Sequence, residues 1–152
     1  MKLEKRLTFE APVDDVFALV EDVEALASCI PGLEELSVVD ARTFDSRVKM
    51  SVGPISARFQ LHTSIDTIEP PTRIVIVTEG RDAGLAGRIK QRQEFALQGN
   101  GDRTEVLITS ELQIQGRLAT FGQRVIGARA DQFADEVAGN VRRLLEARRA
   151  TR

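Results

Sequence analysis

Apolar and polar side chains alternate along most of this chain and switch to a helical period near its end. Leu3-Glu4-Lys5-Arg6-Leu7-Thr8-Phe9 opens with a two-residue period, which predicts a strand with one face turned inward. Ala11-Pro12 stops it. Pro12 suits the first turn of a helix, where its missing N–H costs nothing, and Asp14 and Asp15 complement the positive end of the helix dipole. Val13, Val16, Phe17 and Val20 then recur at helical spacing and predict a short helix from about Val13 to Glu21. A second short helix is expected over Glu24 to Ser28, ended by Pro31-Gly32.

Six further strands follow from alternation, near Leu36–Asp40, Thr43–Val52, Ile55–Glu69, Arg73–Arg81, Arg88–Gln98 and Thr104–Gln115. Turn chemistry punctuates them at Gly53-Pro54, Pro70-Pro71, Asp82 to Gly87 and Asn100-Gly101-Asp102. Hairpin after hairpin predicts an antiparallel meander with one buried face. From about Leu118 the period becomes helical. Leu118, Phe121, Val125, Ile126, Phe133, Val137, Val141, Leu144 and Leu145 make one apolar stripe, about eight turns long. The order is strand, two short helices, six strands, long helix. This is an α+β helix-grip arrangement: a curved seven-stranded antiparallel sheet around a long C-terminal helix, in a single domain over residues 1–152.

Strand parity names the inward side chains. They are Phe44, Ser46, Val48, Met50 and Val52; Ile55, Ala57, Phe59, Leu61, Thr63 and Ile65; Ile89, Gln91, Gln93, Phe95 and Leu97; and Val106, Ile108, Ser110, Leu112 and Ile114. Gln91, Gln93, Thr63 and Ser110 stand out, because an unpartnered buried polar group costs about 1–3 kcal/mol in proteins. Water, each other or a ligand must satisfy them. Gly122, Gly127, Ala128 and Ala130 lighten the first half of the long helix, where they either allow close packing or leave room for a ligand.

Charge is unevenly spread over a chain of net charge −2. Residues 10–40 hold nine acids and no Lys or Arg, whereas Arg117 to the end holds eight arginines against four acids. The last eleven residues carry Arg142, Arg143, Arg148, Arg149 and Arg152, which suit a helix C-terminus or an anionic lipid surface. A pI near 5.5 and the absence of aromatics among the basic residues exclude a nucleic-acid reading. No signal peptide or membrane-length apolar run is present, and one cysteine cannot form an internal disulfide, so a cytoplasmic location is expected.

Catalytic signals are weak. Cys29 and His62 are the only thiol and imidazole, and His62 has outward parity, so no dyad is expected. No metal-ligand spacing or nucleophile elbow occurs. Gly80 to Gly87 is glycine-rich but lies between two strands, so it lacks the helix N-terminus of a phosphate loop. It reads as a hairpin tip near a cavity mouth, with Leu85 as its one large apolar side chain, either a lid contact or a packed tip.

Four segments, Cys29-Ile30-Pro31-Gly32, Val52 to Phe59, Gly80 to Gly87 and Gly116 to Gly122, resemble the CoxG family of carbon monoxide dehydrogenase subunits, within the START-like (SRPBCC) helix-grip superfamily. The resemblance runs from about Leu3 to Leu145 and implies an apolar cavity between sheet and helix. It further implies a non-catalytic accessory to a molybdenum hydroxylase, placing that enzyme at the inner face of the cytoplasmic membrane and binding a quinone, with no covalent cofactor. Membrane-anchored members extend past the long helix into an amphipathic tail. This chain ends seven residues after Leu145, so any anchoring is expected to fall on its arginine-rich end.

The expected function is therefore non-catalytic binding of an apolar small molecule. Its expected lining is Val48, Met50, Phe59, Leu61, Leu85, Gln91, Gln93, Phe95, Ile108, Ser110, Leu112, Phe121 and Val125. The alternative is a small cyclase-, dehydratase- or hydrolase-like enzyme, which should place an ionisable group of perturbed pKa among the inward residues. The strand positions above contain none. A third possibility is a structural assembly factor with a filled core.

Overall fold

The computed structural model describes every residue except Ala83, Leu85, Ala86 and Arg152. Its elements are β1 (Lys2–Phe9), α1 (Val13–Glu21), α2 (Val23–Ser28), β2 (Leu33–Asp40), β3 (Thr43–Val52), β4 (Ile55–Glu69), β5 (Arg73–Asp82), β6 (Arg88–Asn100), β7 (Arg103–Gln115), a short 3-10 helix (Arg117–Phe121) and α3 (Gly122–Ala150). The strands form one antiparallel sheet in the order β1-β7-β6-β5-β4-β3-β2. The helix-grip architecture is the one the alternation predicted.

β2 begins three residues earlier than expected, and the reason is local. Glu34-Glu35 interrupts the apolar alternation, and the β2–β3 register shifts at this point. Ion pairs hold the segment instead, with Glu35 2.9 Å from Arg47 and Glu34 2.9 Å from Arg58. The turn before it depends on Gly32, whose φ is +79° and whose carbonyl accepts from the Lys49 N–H at 2.9 Å. A Cβ there would lie 2.2 Å from the Lys49 carbonyl oxygen.

The long helix is broken where continuity was expected. Gly122 adopts φ +80° and separates the 3-10 turn from α3. Ile126, Ala138, Val141 and Leu145 form the buried face of α3, whereas Val125, one residue off that face, is 42% exposed. Val125 is thus removed from the interior by the 100° step between helical neighbours.

Burial divides the interior into two apolar clusters. The first fills one end with Val16, Phe17, Leu19 and Val20 of α1, Ala27 of α2, Phe44, Ile65, Ile74, Ile76, Leu97, Val106, Ile108, and Val141 and Leu145 of α3. Val52, Ala57, Phe59, Leu112, Leu118 and Ile126 form the second, at the opposite end. Polar ties fix α3 over both. Lys5 of β1 meets Asp131 at 2.8 Å and Asp135 at 2.9 Å, Arg129 Nε donates to the Ser51 carbonyl at 2.9 Å, and Asn140 Nδ2 donates to the Cys29 carbonyl at 2.8 Å.

The C-terminal arginines are occupied within the chain. Arg142 donates to the Thr8 carbonyl and lies over the Phe9 ring, and Arg143 bonds Asn140. Arg148 pairs with Asp22, and Arg149 donates to the Glu10 carbonyl. Arg152 lies outside the described residues.

Gly32→Ala is expected to destabilise the protein, because a left-handed non-glycine residue costs about 1–3 kcal/mol before any clash. At this chain length ~1 kcal/mol moves Tm by about 2–4 °C, so thermal unfolding should show a fall of several degrees. An unchanged Tm would refute the assigned turn.

Candidate functional site

The inward faces of β3 to β7 carry the parity the sequence predicted. Ser46, Val48, Phe59, Thr63, Ile108, Ser110 and Leu112 are buried, and Met50, Leu61, Gln91, Gln93 and Phe95 are half-buried. Register shows how the polar ones assemble. Thr63 lies opposite Thr78, and Thr78 opposite Gln91; one row on, Gln93 lies opposite Ser110. Ser46 sits two residues along β3 from Phe44, the cross-strand partner of Thr63. Together these side chains make an oblique polar belt across the concave face, between the two apolar clusters.

The belt is only partly satisfied. Thr63 Oγ1 and Thr78 Oγ1 bond each other at 3.2 Å. Ser46 is 4% exposed, and its Oγ finds no partner among the described residues. A buried hydroxyl left without a partner carries a desolvation cost of about 1–3 kcal/mol, which a ligand oxygen or nitrogen would relieve. Gln91 and Gln93 point inward yet stay half-buried, as they would beside solvent-reachable space.

The expected lining residues divide along the belt. Phe95 and Ile108 pack with the first cluster, against the short helices. Phe59 and Leu112 belong to the second, with Met50, Leu61 and Phe121 packed against it. Phe121 also fixes the β3–β4 turn, since a Cβ on Gly53 would lie 3.4 Å from its ring. Val48 is fully buried beside the belt. Val125 is exposed, and Leu85 lies outside the described residues.

A hollow of about 370 Å³ opens on the second cluster, lined by Met1, Leu112, Gln113, Ile114, Gln115, Ala119, Gly122, Gln123 and Ile126. It forms where β7 runs past β1: Leu112 and Met1 exchange backbone bonds at 2.8 and 3.0 Å, and Gln113 to Gln115 extend beyond them. Its size falls at the lower end of ligand pockets, which run to about 300–1,000 Å³. Gly127 contributes little to this space, because a Cβ there would lie 3.7 Å from Leu3.

Strand parity could not reveal three polar side chains. Lys5 shares the inward parity of Leu3 and Leu7, but Asp131 and Asp135 claim it, and their hydrogen bonds raise its pKa. Arg129 reaches from α3 to β3, and its Nη1 is buried without a partner among the described residues. Asn140 caps the turn after α2. A hydrophobic stripe on a helix says nothing about which polar neighbour will bend inward.

Cys29 and His62 do not meet. His62 lies on the convex face, with Nδ1 2.6 Å from Asp45, whereas Cys29 is 2% exposed at the end of α2. Burial pushes the Cys29 thiol above its ordinary pKa, which keeps it protonated and unreactive. Among the described residues, no group of three or more His, Cys, Asp or Glu side chains could hold a metal ion. The native protein should therefore resist iodoacetamide at mildly alkaline pH and react once unfolded. Rapid native alkylation detected by mass spectrometry would show that Cys29 is accessible.

Comparison with known proteins extends these observations. The chain is similar to a conserved protein from Geobacillus kaustophilus, at 16% identity and a TM-score of 0.89, over 97% of this chain and 96% of that one. A START superfamily protein from Mycobacterium smegmatis matches at 14% identity and a TM-score of 0.71, over 96% and 97% of the two chains. The Zhui aromatase/cyclase from Streptomyces sp. R1128 matches at 17% identity and a TM-score of 0.68, over 97% and 94%. At such identities these likenesses show the fold. No curated protein sequence matched the chain. The family model for the carbon monoxide dehydrogenase subunit CoxG matches residues 7–146, and the chain belongs to that family.

Proposed function

We propose that this protein binds an apolar small molecule in the concavity beside the belt, without transforming it, as an accessory to a molybdenum hydroxylase of the carbon monoxide dehydrogenase type. One observation carries the reading: an apolar face interrupted by inward hydroxyls and amides, among which Ser46 Oγ is buried and unpartnered. Such groups orient a ligand by hydrogen bonds, but they do not exchange protons near neutral pH. That favours holding over catalysis, and so favours a carrier over the cyclase-like enzyme to which the shared fold also lends itself. A quinone fits this chemistry, with a flat apolar ring and carbonyls that accept from Ser46, Gln91 or Gln93. It is also what an electron-releasing dehydrogenase would need.

A membrane source for such a ligand is part of the proposal. No helix among the described residues is long and apolar enough to cross a membrane, so contact would be made at a surface. Since Arg142, Arg143, Arg148 and Arg149 are occupied internally, the better surface is the opposite end of the sheet. There Arg81 lies opposite Arg88, both exposed, with exposed Lys49 two strands away and Arg117 and Arg124 nearby in sequence beyond β7. Like charges facing across strands cost stability, whereas each could gain about 1 kcal/mol beside anionic lipid.

Two experiments test these statements. Gln93→Leu should weaken decylubiquinone binding about tenfold, the equivalent of ~1.4 kcal/mol, while Tm stays near wild type. A Tm change with unaltered affinity would place Gln93 in the packed core instead. Binding to anionic vesicles at low salt should be lost in an Arg81→Gln/Arg88→Gln variant and survive removal of residues after Leu145. The reverse pattern would return the contact to the C-terminus.

A further inference from the structure

Arg47 and Arg129 each leave a buried nitrogen without a hydrogen-bond partner among the described residues, but Arg47 is ion-paired with Glu34 and Glu35. Arg129 Nε is spent on the Ser51 carbonyl at 2.9 Å, and its Cζ lies 6.0 Å from the centroid of the Phe133 ring. Its Nη1 is buried, yet no acceptor among the described residues reaches it. No carboxylate stands ready to compensate. The chain has no acid between Glu111 and Asp131, and Asp131 and Asp135 both pair with Lys5.

A purely structural clip would not need this arrangement. The bond to Ser51 uses one of five N–H donors, and a guanidinium cannot lose its charge to escape burial. A buried donor on a charged group costs more when unpaired than a neutral one. The position of Arg129 indicates what could relieve it. Arg129 lies one turn beyond Ile126, and Ser51 precedes Val52; both Ile126 and Val52 belong to the second apolar cluster. The neighbouring outer surface carries the exposed cations Lys49, Arg81 and Arg88. Field and free donor therefore favour the same kind of guest.

We infer that Arg129 is the polar anchor of the binding site, where it takes an oxygen acceptor at the end of an apolar ligand. The inference rests on the carrier reading and adds a chemical requirement to it: the guest must offer a lone pair to a donor-only group. A quinone carbonyl and a long-chain carboxylate share that chemistry. An ammonium, or any other end group that can only donate, is disfavoured, because Arg129 has nothing with which to accept.

The test uses N-phenyl-1-naphthylamine as a neutral fluorescent occupant, displaced by decylubiquinone in one arm and by palmitate in the other. Wild type, Arg129→Met and Arg129→Lys are compared, with Tm measured for each. Arg129→Met keeps an apolar stem and removes every donor. It should bind the fluorescent probe within about twofold of wild type and lose about 10–100-fold in affinity for at least one acceptor-ended displacer. The arm that suffers identifies the guest as carbonyl or carboxylate. Arg129→Lys should recover part of the loss, and it carries the test if Arg129→Met fails to fold. Wild-type affinity for both displacers in a well-folded Arg129→Met would overturn the inference. So would failure of both to displace a probe that binds wild type, and in either case the carrier reading would stand. A probe that does not bind wild type at all would overturn both.

Discussion

One α-helix is too narrow to cover the inner face of seven strands. Strands about 4.8 Å apart span roughly 29 Å from edge to edge, whereas a helix with its side chains is about 10–12 Å across. Curling the sheet reduces the mismatch without removing it, so other elements must occupy the remaining space. At one end α1 and α2 do so: Val16, Leu19 and Ala27 are fully buried there against Phe44, Ile74 and α3. At the other end the cover is a 3-10 turn bearing Leu118 and Phe121, and much of the lining, including Met50, Leu61, Ile89 and Ile114, stays half-buried. The proposed binding site lies where the fold runs out of its own material.

Polar contacts tie the helix over this thinly covered end. Lys5 holds α3 over β1 through Asp131 and Asp135, while Arg129 holds the same stretch of helix to the end of β3. Exposed ion pairs contribute little to stability, and Asp131 and Asp135 are more than half exposed, so this contact is worth at most about 1 kcal/mol. Its effect is to set spacing. Ties on either side of α3 link the helix to β1 and to the end of β3.

Most of the fold was legible because an antiparallel meander writes its inner face as every second residue. Only two pairings, β2–β3 and β4–β5, contain register shifts, and the β4–β5 shift lies past Ile65, beyond the belt. Parity therefore placed Ser46, Thr63, Gln91, Gln93 and Ser110 on the correct face. What resisted reading was nonlocal or depended on one dihedral angle. Nothing near Arg129 announces Ser51, 78 residues away, or near Asn140 the carbonyl of Cys29, 111 residues away. Gly122 was open to close packing or to ligand space, but its positive φ ends the 3-10 turn before α3, and Val125 lies one helical step off the buried face. The arginine-rich terminus left two readings open, because a run of cations looks the same whether it meets lipid or the chain's own carbonyls.

The distribution of unsatisfied groups bears on whether this site holds or transforms its guest. An enzyme concentrates coupled titratable groups where bonds change, so that each shifts the other's pKa. Here the titratable groups over the concave face are separated and committed: Lys5 to two aspartates, Arg129 to a backbone carbonyl, Cys29 shielded by burial. Over this face, two buried polar atoms find no partner among the described residues: Ser46 Oγ, part of a neutral hydroxyl, and Arg129 Nη1, part of a permanent cation. Neither can serve as a proton acceptor of useful strength near neutral pH, yet both can donate to an oxygen. Donors placed in this way are suited to recognising carbonyl or carboxylate oxygens, which accords with the proposed carrier role.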